Sequence, residues 1–182
     1  MNYYTSDLHL GHENIISICK RPFATVEEMD EILITNWNSV VKAEDTVFIL
    51  GDLIYKNARA PEYYLDRLKG KKVLILGNHD TWFRKNLIKY ERYFENTEGY
   101  HYLEVSDQGR RVVLFHYPIL EWNAYYRGAY HIYGHVHDDF KSSDINYRIV
   151  RNETKMLNAC SDLNYFYPVT LDQLIAHKNI NT

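Results

Sequence analysis

Residues 46–53 read TVFILGDL, and the reading of this stretch decides the fold. Five β-branched, aromatic and aliphatic residues make a run too short for an ordinary helix and suited to a strand buried on both faces. Glycine breaks the run, and an aspartate follows at the point where the strand stops. The same composition recurs outward in both directions. Upstream, residues 2–9 read NYYTSDLH; downstream come KVLILGNHD (72–80), VVLFHYP (112–118) and HIYGHVH (131–137). Each is a short apolar strand that runs into a turn rich in imidazole, carboxylate or carboxamide.

The expected strands are Asn2–Thr5, Thr46–Leu50, Lys72–Leu76, His101–Val105, Val112–Phe115, His131–Tyr133, Tyr147–Val150 and Met156–Ala159, bounded by Gly, Asp or Asn. Helices fill several gaps. Thr25 and Glu28 form a capping-box pattern ahead of Met29, Ile32, Leu33, Trp37, Val40 and Val41, which share one helix face. A second helix begins at Pro61 and stops before Gly70, a third spans Trp82 to Phe94, and Thr170 with Gln173 caps a last one. Strands alternating with helices imply an α/β fold, with helices covering the sheet on more than one side.

Composition narrows the classes. The 182 residues are 46% apolar and 25% charged, as in a single globular domain over 1–182. A net charge of −3 argues against an extended nucleic-acid surface. No basic segment followed by an apolar run opens the chain, and VFIL, VLIL and VVLF are too short to span a bilayer. The expected setting is cytoplasmic. Cys19 and Cys160 lie far apart in sequence and suggest reduced core residues rather than a thiolate site.

The strand-end turns carry the chemistry. Five of the nine histidines (His9, His79, His116, His135, His137) stand in them with Asp7, Asp52, Asn78 and Asp80, where α/β proteins build their sites. Asp7 and His9 are two apart, as are His135 and His137; on an extended backbone each pair faces one side. Glycine precedes Asp52, Asn78 and His135, which lets a metal or substrate approach closely. Nitrogen and oxygen ligands without sulfur suit Mn, Fe or Zn catalytic chemistry. Taken singly, D-x-H and G-D are common turn and cap sequences; five such turns in series are not.

The order D-x-H, G-D, G-N-H-D, H, G-H-x-H, from Asp7 to His137, resembles the calcineurin-like metallophosphoesterase superfamily. The resemblance implies a two-sheet β-sandwich flanked by helices, in four layers, with a dinuclear centre at the strand ends. It implies that Asp7, His9 and His137 hold one divalent ion and Asn78, His116 and His135 the other, with Asp52 bridging. His79 matches the non-ligand histidine beside the substrate phosphate. The expected reaction is hydrolysis of a phosphomonoester or phosphodiester by a metal-bridging hydroxide.

The superfamily's protein phosphatases follow G-D with an aspartate-arginine pair, whereas GDLIYKN (51–57) continues with Tyr55 and Lys56. That departure favours a small phosphoesterase or phosphodiesterase of bacterial type over a protein phosphatase, and the expected partner is a small phosphate ester, a nucleotide among the candidates. A nuclease of short DNA or RNA and a non-catalytic metal-binding module are the alternative readings. Asp80 is expected either to orient His79 or to cap the next helix, and His12 either to be a surface-loop histidine or to approach the substrate side. Lys20 and Arg21, in the loop after the first motif, are weighed as positive charge near the rim but not assigned there. Trp122, Tyr125, Tyr126 and Arg127 offer substrate stacking on one reading, and a packed loop or homo-oligomer contact on the other.

Overall fold

The computed structural model describes residues 1–56, 59–96, 99–137 and 153–180. Within them, β1 (Asn2–Thr5), β2 (Thr46–Leu50) and β3 (Lys71–Ile75) form one all-parallel sheet in the order β1-β2-β3. A second sheet has the order β4-β5-β6-β7, from β4 (Tyr102–Asp107), β5 (Arg110–Phe115), β6 (Tyr130–Tyr133) and β7 (Met156–Asn158). β4 and β5 pair as an antiparallel hairpin across Gln108 and Gly109, both left-handed as a two-residue turn requires. β5, β6 and β7 are mutually parallel. The expected Tyr147–Val150 strand lies outside the described residues.

Strand alternation sorts the side chains into layers. Phe48, Leu50, Val73 and Ile75 point between the sheets, where they meet Val112, Leu114, Ile132 and Leu157. Val47, Ile49 and Leu74 point the other way, under the helices. Val113, Tyr133 and Met156 face outward from the second sheet and pack under the 119–129 segment through Trp122 and Ala129. The result is two packed sheets flanked by helices, the architecture expected.

The helices are α1 (Glu13–Ile18), α2 (Val26–Val40), α3 (Pro61–Leu65), α4 (Thr81–Arg84) and α5 (Leu171–Ile180). α2 begins where its sequence says: Thr25 Oγ accepts from the Glu28 N–H at 3.2 Å, and Glu28 accepts from the Ala24 N–H at 2.6 Å. It buries Met29, Leu33, Ile34 and Trp37 against the first sheet. Leu171 and Leu174 of α5 close the space between the sheets, beside the antiparallel bridge from Tyr4 to Val169.

Two helices are shorter than their sequences suggest. α3 stops at Leu65 because α2 captures the chain beyond it: Asn38 bonds the Arg67 carbonyl (2.7 Å) and the Lys69 N–H (3.0 Å), and Trp37 Nε1 bonds the Lys69 carbonyl (2.9 Å). The expected Trp82–Phe94 helix divides into α4 and a 3₁₀ helix, Leu87–Tyr93. There the Asn86 side chain takes the Trp82 carbonyl that a continuing helix would have used.

Candidate metal centre

All three strands of the first sheet, and β5, β6 and β7 of the second, end at one place. Backbone hydrogen bonds lace their turns together: Asp7 N to Gly51 O (3.0 Å), His9 N to Asp52 O (2.9 Å), Gly134 N to His116 O (2.9 Å) and Ser161 N to Ser6 O (3.0 Å). Asp7, His9, Asp52, His116, Asn78, His135 and His137 thereby converge from turns up to 130 residues apart in sequence.

Their approach is not by extended strand ends. Asp7 (φ 56°), His9 (51°), Asp52 (55°) and His135 (70°) are all left-handed, so the expectation that the two i, i+2 pairs converge on extended backbone is replaced by kinks at Asp7, His9 and His135. Non-glycine residues avoid this region unless the surrounding structure holds them there, and such strain collects at functional sites. Two glycines make the close approach possible. A Cβ on Gly77 would meet Asp52 Oδ1 and the His116 ring, and one on Gly134 would meet Ser6 Oγ and Asp7 Oδ2.

The floor is buried: Asp7, His9, Asp52 and His116 are at most 2% exposed. Asn78, His79 and His135 form an exposed rim, and His137 lies between. Asp52 Oδ2 stands 3.8 Å from His9 Nε2 and 3.7 Å from His116 Nε2. Asp7 Oδ1 stands 4.0 Å from His9 Nε2 and 3.6 Å from His137 Nε2. Asn78 Oδ1 is 2.9 Å from both His116 Nε2 and His135 Nδ1. Donor atoms at such separations can surround a divalent cation.

A direct test of fit comes from the unsatisfied atoms. Among the described residues, Asp7 Oδ1 and His9 Nε2 are buried without a hydrogen-bond partner, a costly state for polar atoms unless a cation completes it. The remaining lone pairs and ring nitrogens are tied down: Asp7 Oδ2 accepts from Ser6 Oγ and the His135 N–H, Asp52 Oδ1 from the His79 N–H at 2.9 Å, and His116 Nδ1 contacts the Leu50 carbonyl at 2.7 Å. These contacts aim the free atoms into the cavity.

Electrostatics agree. Burial, with the neighbouring cationic groups, holds His9 well below the usual imidazole range, and burial also lowers His135. Both are therefore neutral and able to ligate. Burial lifts the Asp52 carboxyl to about 6, against the pull of His116. Burial pulls His137 down, but its bond to Asp162, with Cys19 and Asp7 nearby, carries it up to about 10.

The other expected residues sort by position. Asp80 stands immediately before α4, where its backbone carbonyl accepts from the Arg84 N–H at 2.8 Å. Its carboxylate accepts from the Asp52 (2.7 Å), Leu53 (3.3 Å) and Gly77 (2.8 Å) N–H groups, joining two ligand turns. His79 stands edge-on to His9 with ring centres 5.3 Å apart. His12 is stacked flat on Tyr55 at 3.9 Å, and its ring lies 6.4 Å from His79.

Arg21 is no rim charge: it is 4% exposed and bonded beneath the site. Trp122 is a core residue whose Nε1 bonds the Ala129 carbonyl, and Tyr125 bonds Glu153. The 3₁₀ turn Tyr125–Arg127 precedes β6, at the end of the strands opposite the ligand turns. Asp162 was not foreseen. The strand-end rule that found the other turns would have found it, since it follows β7 as Asp52 follows β2.

Comparison with known proteins decides the family. A model of the calcineurin-like phosphoesterase family matches residues 3–139. The chain belongs to this family. An uncharacterized protein of Methanocaldococcus jannaschii is 34% identical over 176 residues, 95% of this chain and 88% of that one. A gene product of Mycobacterium phage L5 is 42% identical over 81 residues, 43% of this chain and 39% of its own length. The crystal structure of a protein of unknown function from Aquifex aeolicus superposes with a TM-score of 0.70 at 29% identity, covering 95% of this chain and 96% of its own. As a calcineurin-like phosphoesterase the chain is a metal-dependent hydrolase of phosphate esters, and its Asp and His clusters are suited to metal. No helix among the described residues is long and apolar enough to cross a membrane.

Proposed function

We propose that this phosphoesterase holds two divalent ions (Mn, Fe or Zn) and hydrolyses a small phosphomonoester or phosphodiester. In this reading Asp7, His9 and His137 hold one ion, Asn78, His116 and His135 hold the other, and Asp52 is shared. The observation that carries it is the position of Asp52 Oδ2, 3.8 Å from an imidazole of the first set and 3.7 Å from one of the second. A single carboxylate oxygen between two ligand sets is what a shared ligand requires.

When bound, such ions supply Lewis acidity and lower the pKa of the attacking water. The chain's own residues do the rest. The buried floor keeps four ligand side chains dry and fixed, so little reorganisation accompanies reaction. The exposed rim leaves His79 open to the substrate, where its imidazole stabilises charge on the phosphoryl oxygens and gives a proton to the departing oxygen. His12, held flat by Tyr55, lines the same side. A small ester substrate fits the exposed rim, and the net charge of −3 disfavours a long nucleic acid.

The experiment is a screen of mononucleotides, cyclic nucleotides, short oligonucleotides and aryl phosphate esters with manganese-loaded enzyme. Turnover of small mono- or diesters supports the reading. Turnover confined to oligonucleotides would instead favour a nuclease, and tight metal binding without turnover a non-catalytic module.

A further inference from the structure

The metal centre draws on a segment beyond the residues that the family model matches. After β7 the chain bridges Cys160 to Ser6, and Ser161 Oγ donates to the Asp7 carbonyl at 3.0 Å. Asp162 follows, with its side chain 8% exposed, and its Oδ2 accepts from His137 Nδ1 at 2.8 Å. Its two oxygens also accept from Arg21 Nε (2.8 Å) and Nη2 (2.9 Å). Arg21 is itself fixed, donating to the carbonyls of Asp7 (2.7 Å) and Leu8 (2.9 Å). A buried guanidinium thus ties the first ligand turn, the post-β7 turn and, through Asp162, the imidazole of His137.

The chemical consequence concerns the ring's two nitrogens. With Nδ1–H donated to a carboxylate, a neutral imidazole presents its lone pair at Nε2, the atom that faces Asp7 Oδ1 at 3.6 Å. A competing arrangement exists, because Cys19 Sγ, His137 Nδ1 and Asp162 lie close enough to surround an ion of their own. Arg21 argues against it. Both Asp162 oxygens already accept from the guanidinium, whose charge would repel a second cation at the same carboxylate. The Cys19 and Cys160 thiols lie 3.4 and 3.6 Å from Nδ1, and Cys160 Sγ donates to Asp162 Oδ2 at 3.2 Å, so that carboxylate is further occupied.

We propose that Asp162, clamped by Arg21, is the positioning residue that fixes His137 with Nε2 toward Asp7, so that the metal centre is completed from outside the family-matched segment. The inference rests on the reading of His137 as a metal ligand.

Two measurements test it. In the zinc-loaded wild type, long-range ¹⁵N–¹H NMR of the histidine rings is expected to show His137 protonated at Nδ1 and coordinated through Nε2. Coordination through Nδ1 overturns the proposal, and this result needs no variant to fold. Calorimetric Mn²⁺ titrations, with melts of each metal-free protein, then compare wild type, His137→Ala, Asp162→Asn, Cys19→Ser and the double variant His137→Ala/Asp162→Asn. Asp162→Asn is expected to bind Mn²⁺ about 10–100-fold more weakly, to add less than about twofold in the His137→Ala background, and Cys19→Ser to match wild type. Unchanged affinity in Asp162→Asn, with loss in His137→Ala, overturns the positioning role alone. Unchanged affinity in His137→Ala overturns the ligand reading beneath it. Loss of a whole metal equivalent in Cys19→Ser would make the cluster a metal site and overturn the proposal.

Discussion

The Asp52 N–H donates to Oδ2 of Asp80 at 2.7 Å, across 28 residues of chain. With the Leu53 and Gly77 N–H groups on the same carboxylate, the bond makes the second and third ligand turns one unit. Asp80→Ala leaves three backbone donors at a buried site without their acceptor. The expected loss is about 3 kcal/mol of stability, read from urea unfolding of the metal-free protein, together with weaker metal binding. An unfolding midpoint equal to wild type would mean that the turns hold themselves.

Gly134 allows β6 to end against Asp7. Gly134→Ala puts a methyl group on Ser6 Oγ and Asp7 Oδ2, and overpacking of this kind costs about 1–3 kcal/mol. The strain falls on Asp7, a proposed ligand, so metal affinity should drop more than the melting temperature suggests. Calorimetry and a thermal melt on the same sample separate the two.

Acidity gives a third expectation. Metal binding needs His137 free of its second ring proton and Asp52 ionised. With His137 at about 10 and Asp52 at about 6 in the metal-free protein, the side chains should release about one proton on binding at pH 8, from His137, beside the proton that metal-bound water gives up. Below about pH 6 protonated Asp52 adds a second side-chain proton, so apparent affinity falls more steeply there. His9, held neutral by burial, adds none. For stability the sign is fixed by the raised values. Asp52, raised from 3.8, contributes stability fully present below about pH 4 and lost as pH rises through about 6. Titrations in buffers of differing ionisation enthalpy count the protons, and a release from His137→Ala equal to that of wild type at pH 8 would contradict this account.

His79 is exposed and its N–H, not its ring, is bound to Asp52. His79→Ala should keep the metal content of wild type and lose about 10²–10⁴-fold in kcat. Loss of metal would show that the ring is a ligand.

The sequence was most legible where local chemistry and tertiary need agree. β1 and β2 stand at their expected bounds because an apolar run between polar stops has one buried solution. The strand-end rule brought all seven ligand-type residues together because parallel strands carry successive turns to one edge. α3 and the Trp82–Phe94 segment came out shorter because Asn38, Trp37 and Asn86 compete for backbone groups, and side-chain capture leaves no periodic trace. α1 escaped notice since His12 provides no side-chain cap. The left-handed ligand residues were illegible for a related reason: non-glycine strain is imposed by the whole site, not encoded at the position.

The most direct measurement is metal-dependent hydrolysis of bis-p-nitrophenyl phosphate by wild type and Asp52→Asn, with metal content determined on the same preparations. About two ions per wild-type chain are expected, with turnover abolished by chelation and restored by Mn²⁺. Asp52→Asn should lose metal and more than about 100-fold in activity. Undiminished turnover in Asp52→Asn, or in chelated wild type, would contradict the shared role of that carboxylate.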